Sequence, residues 1–243
     1  MTTSEPVEIP PVTPGALRLA ALPVLLQTQA PIILEVGCND GSHTNQFLRI
    51  FPGARIIAFE PDRRAQRKFR RNVTDPRAVL VEVAIGARNG VAEFYSSGGV
   101  NPGSGGRSTP DWDCSGSIRK PTGHLVRFPW CTFPEVHAVQ IRTLDSVTEE
   151  LGIETIDFLW ADVQGAEEDL IRGGIRTLAR THYIHTEYSD FELYEGQCGL
   201  AALLRMLPNF QVLARFKADV LLWNRAFPAP RPSLRGARPP LPP

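Results

Sequence analysis

The chain has no net charge: 26 Lys and Arg offset 26 Asp and Glu over 243 residues. Without a basic excess, nothing in the composition recommends DNA or RNA as a partner, and such a role would need a local patch. Long apolar runs are also lacking. None approaches the roughly 20 residues needed to span a bilayer. Residues 1–14 hold two acids and several prolines, without the basic flank and apolar stretch of a secretory leader. Cysteine is scarce. Cys38, Cys114, Cys131 and Cys198 are scattered without a CxxC pair, which reads as reduced thiols in a cytoplasmic protein.

What is present suffices for a core. A hydrophobic fraction of 42% over 243 residues fits one large domain. The proline-rich ends, 1–14 and 228–243, have little to bury and are expected to be mobile tails around a domain at 15–227. Within it, strand-like and helix-like patterns alternate. Helices are expected at 15–28, 42–51, 62–72, 146–151, 166–178 and 199–207. Strands are expected at 32–36, 55–60, 79–85, 91–95, 139–142, 156–162 and 183–188. Two closing runs, 210–216 and 219–224, suit an antiparallel hairpin. Between 96 and 137 the pattern breaks: glycine, serine and proline crowd the stretch, with Trp112, Phe128, Trp130 and Phe133 dispersed through it. This long insert reads as a possible substrate cover. The alternation implies an α/β fold with a mostly parallel sheet, helices on both faces, and ligands at the carboxyl ends of the strands.

The unalternating run Ile32-Ile33-Leu34-Glu35-Val36 suits a central strand covered on both faces. It ends in Gly37-Cys38-Asn39-Asp40-Gly41, a turn that lets a ligand approach the backbone before a helix begins; Asn39 tolerates left-handed backbone nearly as glycine does. Glu60 ends the next strand roughly 20 residues on, where an acid can accept both hydroxyls of a ribose. A dinucleotide fold would usually supply a third glycine for close helix–strand packing, and this chain has Thr44 on that helix instead. Glu35 is a poor neighbour for a pyrophosphate. It suits a cofactor bearing an ammonium and a sulfonium, which favours S-adenosylmethionine over NAD.

Together, the segments 33–41, Phe59-Glu60-Pro61, Thr143-Leu144-Asp145, 156–167 and Tyr194-Glu195-Gly196-Gln197 resemble the FkbM family of methyltransferases. Asp162-Val163-Gln164-Gly165-Ala166-Glu167 is the most specific part. The resemblance covers about residues 30–224. It implies a class I, Rossmann-like, seven-stranded fold and O-methylation of a hydroxyl on a sugar, glycan or natural-product small molecule. It carries cofactor binding onto Glu35, Gly37, Asn39, Asp40, Gly41, Glu60 and Pro61, with Ala84 and Ile85 near the adenine. Trp160 departs from the family, which often has lysine there.

Methyl transfer needs a positioned acceptor oxygen and removal of its proton. Asp162 and Glu187 end adjacent strands, and His185, two residues earlier, shares a face with Glu187. These three are the catalytic candidates, with His43 a further base. Asp162 and Glu187 are also the only carboxylates that could be named for Mg²⁺; Asp162 reads equally as a helix cap. Glu167, Glu168 and Asp169 read as first-turn acids complementing a helix dipole. The run 63–71 holds six cations, but Ala65 and Phe69 share a buried face and leave the rest solvated. The competing readings are an RNA methyltransferase and a non-catalytic nucleoside-binding protein.

Overall fold

A computed structural model of the chain describes residues 10–13, 15–103 and 111–229. The strands are β1 (Ile32–Val36), β2 (Arg55–Phe59), β3 (Ala78–Val81), β4 (Ala84–Ile85), β5 (Gly90–Gly99), β6 (Cys131–Arg142), β7 (Ile156–Ala161), β8 (Thr181–Glu187), β9 (Phe210–Arg215) and β10 (Asp219–Asn224). The helices are α1 (Leu22–Leu26), α2 (Ser42–Ile50), α3 (Arg63–Asn72), α4 (Gly123–Arg127), α5 (Leu144–Glu150), α6 (Glu167–Gly173), α7 (Ile175–Ala179) and α8 (Leu200–Met206).

Seven strands form the main sheet in the order β3-β2-β1-β7-β8-β10-β9. The first five are parallel, and β10 is antiparallel to both its neighbours. This is the expected class I methyltransferase-like sheet closed by an antiparallel hairpin. Strand parity divides the core. Leu34, Val36, Ile57, Phe59, Leu159 and Ile184 face α5 to α8, while Ile33, Ile56, Ala58, Phe158 and Tyr183 face α1 to α3. Glu35 therefore falls on the face covered by α2. The chain reverses between β1 and β7, so the crevice above their carboxyl ends is the switch point where ligands bind.

Five expected elements differ. The run 79–85 divides, because Val83 N–H turns back onto the Val81 carbonyl and sends Ala84 and Ile85 to pair with β6. The strands around the insert belong to a separate sheet, β4-β6-β5, and run further than the pattern suggested. β5 continues to Gly99 and β6 begins at Cys131, so the excursion spans about 100–130; Ser, Gly and Pro are held in strand by cross-strand pairing, with a register shift between Ser96 and Gly98. The helix 166–178 breaks at Gly173-Gly174, where a Cβ on Gly173 would lie 2.0 Å from the Gly86 carbonyl oxygen. The helix 15–28 shortens to a 3₁₀ turn, Leu19–Ala21, and α1, whose Pro23 sits in the first turn where its missing N–H is harmless.

The expected tails lie mostly outside the described residues. Where the N-terminal one is described, Thr13 N–H donates to the Arg215 carbonyl at 2.6 Å. Among the described residues no helix is long and apolar enough to cross a membrane.

Candidate active site

The glycine turn after β1 is shaped by close contacts. Gly37 has φ +85°, and a Cβ there would sit 1.9 Å from the Asp162 carbonyl oxygen. Asn39 is also left-handed, at φ 45°. Gly41 (φ +80°) presses on Val73 and Phe69 of the α3 region. The Phe59 carbonyl accepts from the N–H groups of Gly37 and Cys38, at 3.0 and 3.1 Å. Glu60 then links two turns: Oε2 accepts from Asn39 N–H at 2.9 Å and Oε1 from Asp62 N–H at 2.8 Å.

Above this turn opens a cleft of about 240 Å³. Gly37, Asn39, Asp40, Glu60, Pro61, Ala84 and Ile85 line it, as do His43, Phe94, Asp162 and Gln164. Glu35 and Gly41 are not in the lining. Glu35 is fully buried beneath it, with Oε2 accepting from Thr44 Oγ1 at 2.5 Å and Oε1 without a partner among the described residues. Burial pushes the Glu35 and Glu60 carboxyls up to about 8 each. An orphaned carboxylate oxygen under an exposed glycine turn fits a cationic, adenosine-bearing cofactor.

Asp162 and Glu187 come together at the ends of β7 and β8. The Gln164 amide Nε2 donates to Asp162 Oδ1 at 2.5 Å and to Glu187 Oε2 at 3.0 Å. Burial raises both carboxyls, and Glu187 is driven further by Asp162 and Asp219. No three His, Cys, Asp or Glu side chains gather as a metal site among the described residues. His185 is buried, stacked on Trp160 at 4.1 Å, with neither ring nitrogen hydrogen-bonded among the described residues. Burial, then His43, lowers its pKa to about 3. His43 packs against Trp160 at 4.6 Å, its pKa lowered by burial. Both histidines border a further hollow under the N-terminal segment, which Trp160, Asp162, Glu187 and Asp219 also line. Glu167 is buried and receives Gly165 N–H at 3.3 Å, whereas Glu168 and Asp169 pair with Arg172 and Arg119.

A second cleft adjoins the first. Trp112, Phe128, Trp130, Phe191 and Tyr194 wall it, and Asp162 and Glu187 reach it from the floor. Trp112 and Trp130 meet edge to face at 5.5 Å. Asp162 and Gln164 border both clefts. The sequence reading does not single out Gln164 and Tyr194 as site residues, although both lie in the family-like segments. Asp113, Cys114, Ser117 and Ile118, which cover the first cleft, fall inside the 96–137 insert, where only the aromatics are picked out as cover. That segment is tied down by the basic helix: Lys68 pairs with Asp113 at 2.6 Å and Arg64 with Asp111 at 3.5 Å.

Residues 35–217 match the methyltransferase FkbM domain model. The 2-O-methyltransferase NoeI of Sinorhizobium fredii (strain NBRC 101917 / NGR234) is 46% identical over 205 residues, 82% of each chain. The AMB antimetabolite synthetase AmbE of Pseudomonas aeruginosa is 27% identical over 186 residues, which span 65% of this chain but 8% of that protein. A solved structure of a putative O-methyltransferase from Klebsiella pneumoniae aligns over 88% of this chain and 83% of its own, with 14% identity and a TM-score of 0.45. With the FkbM model spanning most of the chain and a 46% identical methyltransferase covered over 82% of its length, this protein belongs to the FkbM family and is an S-adenosylmethionine-dependent methyltransferase.

Proposed function

We propose that the enzyme methylates a hydroxyl oxygen on a small polyhydroxylated molecule of the sugar class, in the cytoplasm. The observation that carries this is the position of Asp162, which borders both the glycine-turn cleft and the aromatic-walled cleft. Aromatic faces beside carboxylates suit a sugar, whose C–H faces stack while its hydroxyls donate to acids. The 46% identity to a 2-O-methyltransferase supports oxygen, and a carbon-2 hydroxyl, as the acceptor.

When bound, S-adenosylmethionine supplies an activated methyl group on a sulfonium. In this reading Glu60 holds the ribose diol, Gly37, Asn39, Asp40 and Gly41 shape the backbone around the cofactor, and Glu35 acts on its cationic end from beneath the turn, outside the cleft lining. Pro61, Ala84 and Ile85 flank the adenine. Asp162 accepts the proton of the acceptor hydroxyl as its oxygen attacks, with Glu187 beside it in the same buried pair. His185, walled in against Trp160, would act as packing for the pair. The Gln164 amide already engages an oxygen of each carboxylate, so the reaction is read as metal-independent. An RNA acceptor is disfavoured because Arg64, Lys68 and Arg70 of the basic helix are engaged by Asp62, Asp111, Asp113 and Glu82.

The test is transfer of a labelled methyl group to a panel of monosaccharides and short glycans carrying a free, deoxy or blocked 2-hydroxyl. Product mass and NMR are expected to place the label on oxygen at carbon 2, with none on the deoxy or blocked forms. Labelling of nitrogen, carbon or RNA would overturn the reading.

A further inference from the structure

We propose that Gln164 is a positioning residue that holds the Asp162–Glu187 pair in register and ties it to the segment covering the two clefts. The inference rests on the reading of Asp162 as proton acceptor. An amide nitrogen offers two hydrogens and no acceptor. Both hydrogens are used here, one on each carboxylate, at 2.5 and 3.0 Å. The other end of the amide is fixed as well: Gln164 Oε1 lies 3.0 Å from the Tyr194 hydroxyl. A flipped amide would set its oxygen against two carboxylates, so only one orientation satisfies the group.

The backbone shows the same constraint. Gln164 sits at φ 50°, a left-handed conformation that costs a non-glycine residue free energy and must be held by its surroundings. Its carbonyl accepts from Ser117 Oγ at 2.7 Å. Next to it Gly165 lies under the buried Tyr194 ring, where an added Cβ would meet ring carbon at 2.8 Å. The Tyr194 hydroxyl shares its hydrogen with the Ser115 carbonyl, 2.8 Å away. Ser115 and Ser117 belong to the insert, so one side chain touches both carboxylates while its backbone and its phenol partner touch the cover. Nothing apolar about the site calls for glutamine. Removing its two donors leaves the buried carboxyl pair with no bridge, and either group can rotate away from the acceptor hydroxyl.

The experiment is a double-mutant cycle on the full chain with S-adenosylmethionine and its acceptor. Gln164→Leu keeps the bulk and deletes the donors. Its kcat is expected to fall about 10- to 100-fold while the Kd for S-adenosylmethionine stays within about twofold. In the Asp162→Asn background the same change is expected to cost less than about twofold, because the group it acts through is gone. A full-sized further loss in that background overturns the Gln164 proposal alone. Wild-type turnover by Asp162→Asn overturns the base assignment and the proposal with it. If Gln164→Leu does not fold, Tyr194→Phe removes only a hydroxyl and carries the same cycle, with an expected loss of about 3- to 10-fold.

Discussion

Replacing Glu60 by alanine removes the acceptors of two backbone N–H groups, those of Asn39 and Asp62, and the acid proposed to hold the ribose. Hydrogen bonds to a charged group are worth about 1.5–3 kcal/mol, and water entering the open cleft recovers part of that, so a net loss of about 1–3 kcal/mol is expected. At about 1.4 kcal/mol per decade, the Kd for S-adenosylmethionine rises about 5- to 150-fold. Calorimetry measures it directly. The pH dependence sharpens the test. Burial, with Asp62 and Asp113 opposing the two N–H donors, holds the Glu60 carboxyl at about 8 in the free protein. Diol donors and a sulfonium favour the ionised form, so wild-type affinity is expected to climb between pH 6 and 8, by up to about tenfold per unit from this group. Glu60→Ala loses that slope; Glu35, also at about 8, contributes a separate one removed by Glu35→Gln. An affinity unchanged within twofold, with the slope intact, refutes the role of Glu60.

The same two groups act with opposite sign on the ligand-free fold. Their folded values of about 8 exceed the ordinary 4.5, so the stability they allow is full below pH 4.5 and is lost as pH rises toward 8. Thermal denaturation from pH 5 to 8 should show this decline, and Glu35→Gln should lessen it; a flat wild-type profile contradicts the burial argument. Asp162→Asn and Glu187→Gln should each lower kcat about 10²- to 10⁴-fold with the melting temperature retained, and wild-type kcat should fall as acid protonates the raised pair. Turnover is expected to survive EDTA; loss restored by Mg²⁺ would return the metal reading. Gly37→Ala sets a methyl against the Asp162 carbonyl at positive φ, and is expected to cost more than about 1 kcal/mol of stability and to abolish donor binding, as read by denaturation and calorimetry.

Strand–helix alternation, the two-sided burial of Ile32–Val36, the glycine turn and Glu60 were legible in sequence because each follows from local chemistry: periodicity, backbone freedom and an acid at a strand end. Pairing of Asp162 with Glu187 was half legible, since adjacent strand ends can be inferred but not the amide between them. The remainder is tertiary. Residues 96–99 are serine and glycine, and Pro134 interrupts 131–137; the two stretches become strand through each other, at a sequence separation no local pattern spans. The basic helix read as a solvated face, yet Arg64 and Lys68 secure the insert, because charges find partners by proximity in the fold. His185 looked like a candidate base by its place in the strand; packing against Trp160 put it in a dry environment that keeps it neutral. Sequence alone marked the proposed donor site, since that reading rests on one turn and one acid. The acceptor cleft needed folding to exist, because its walls come from residues spread between Trp112 and Tyr194.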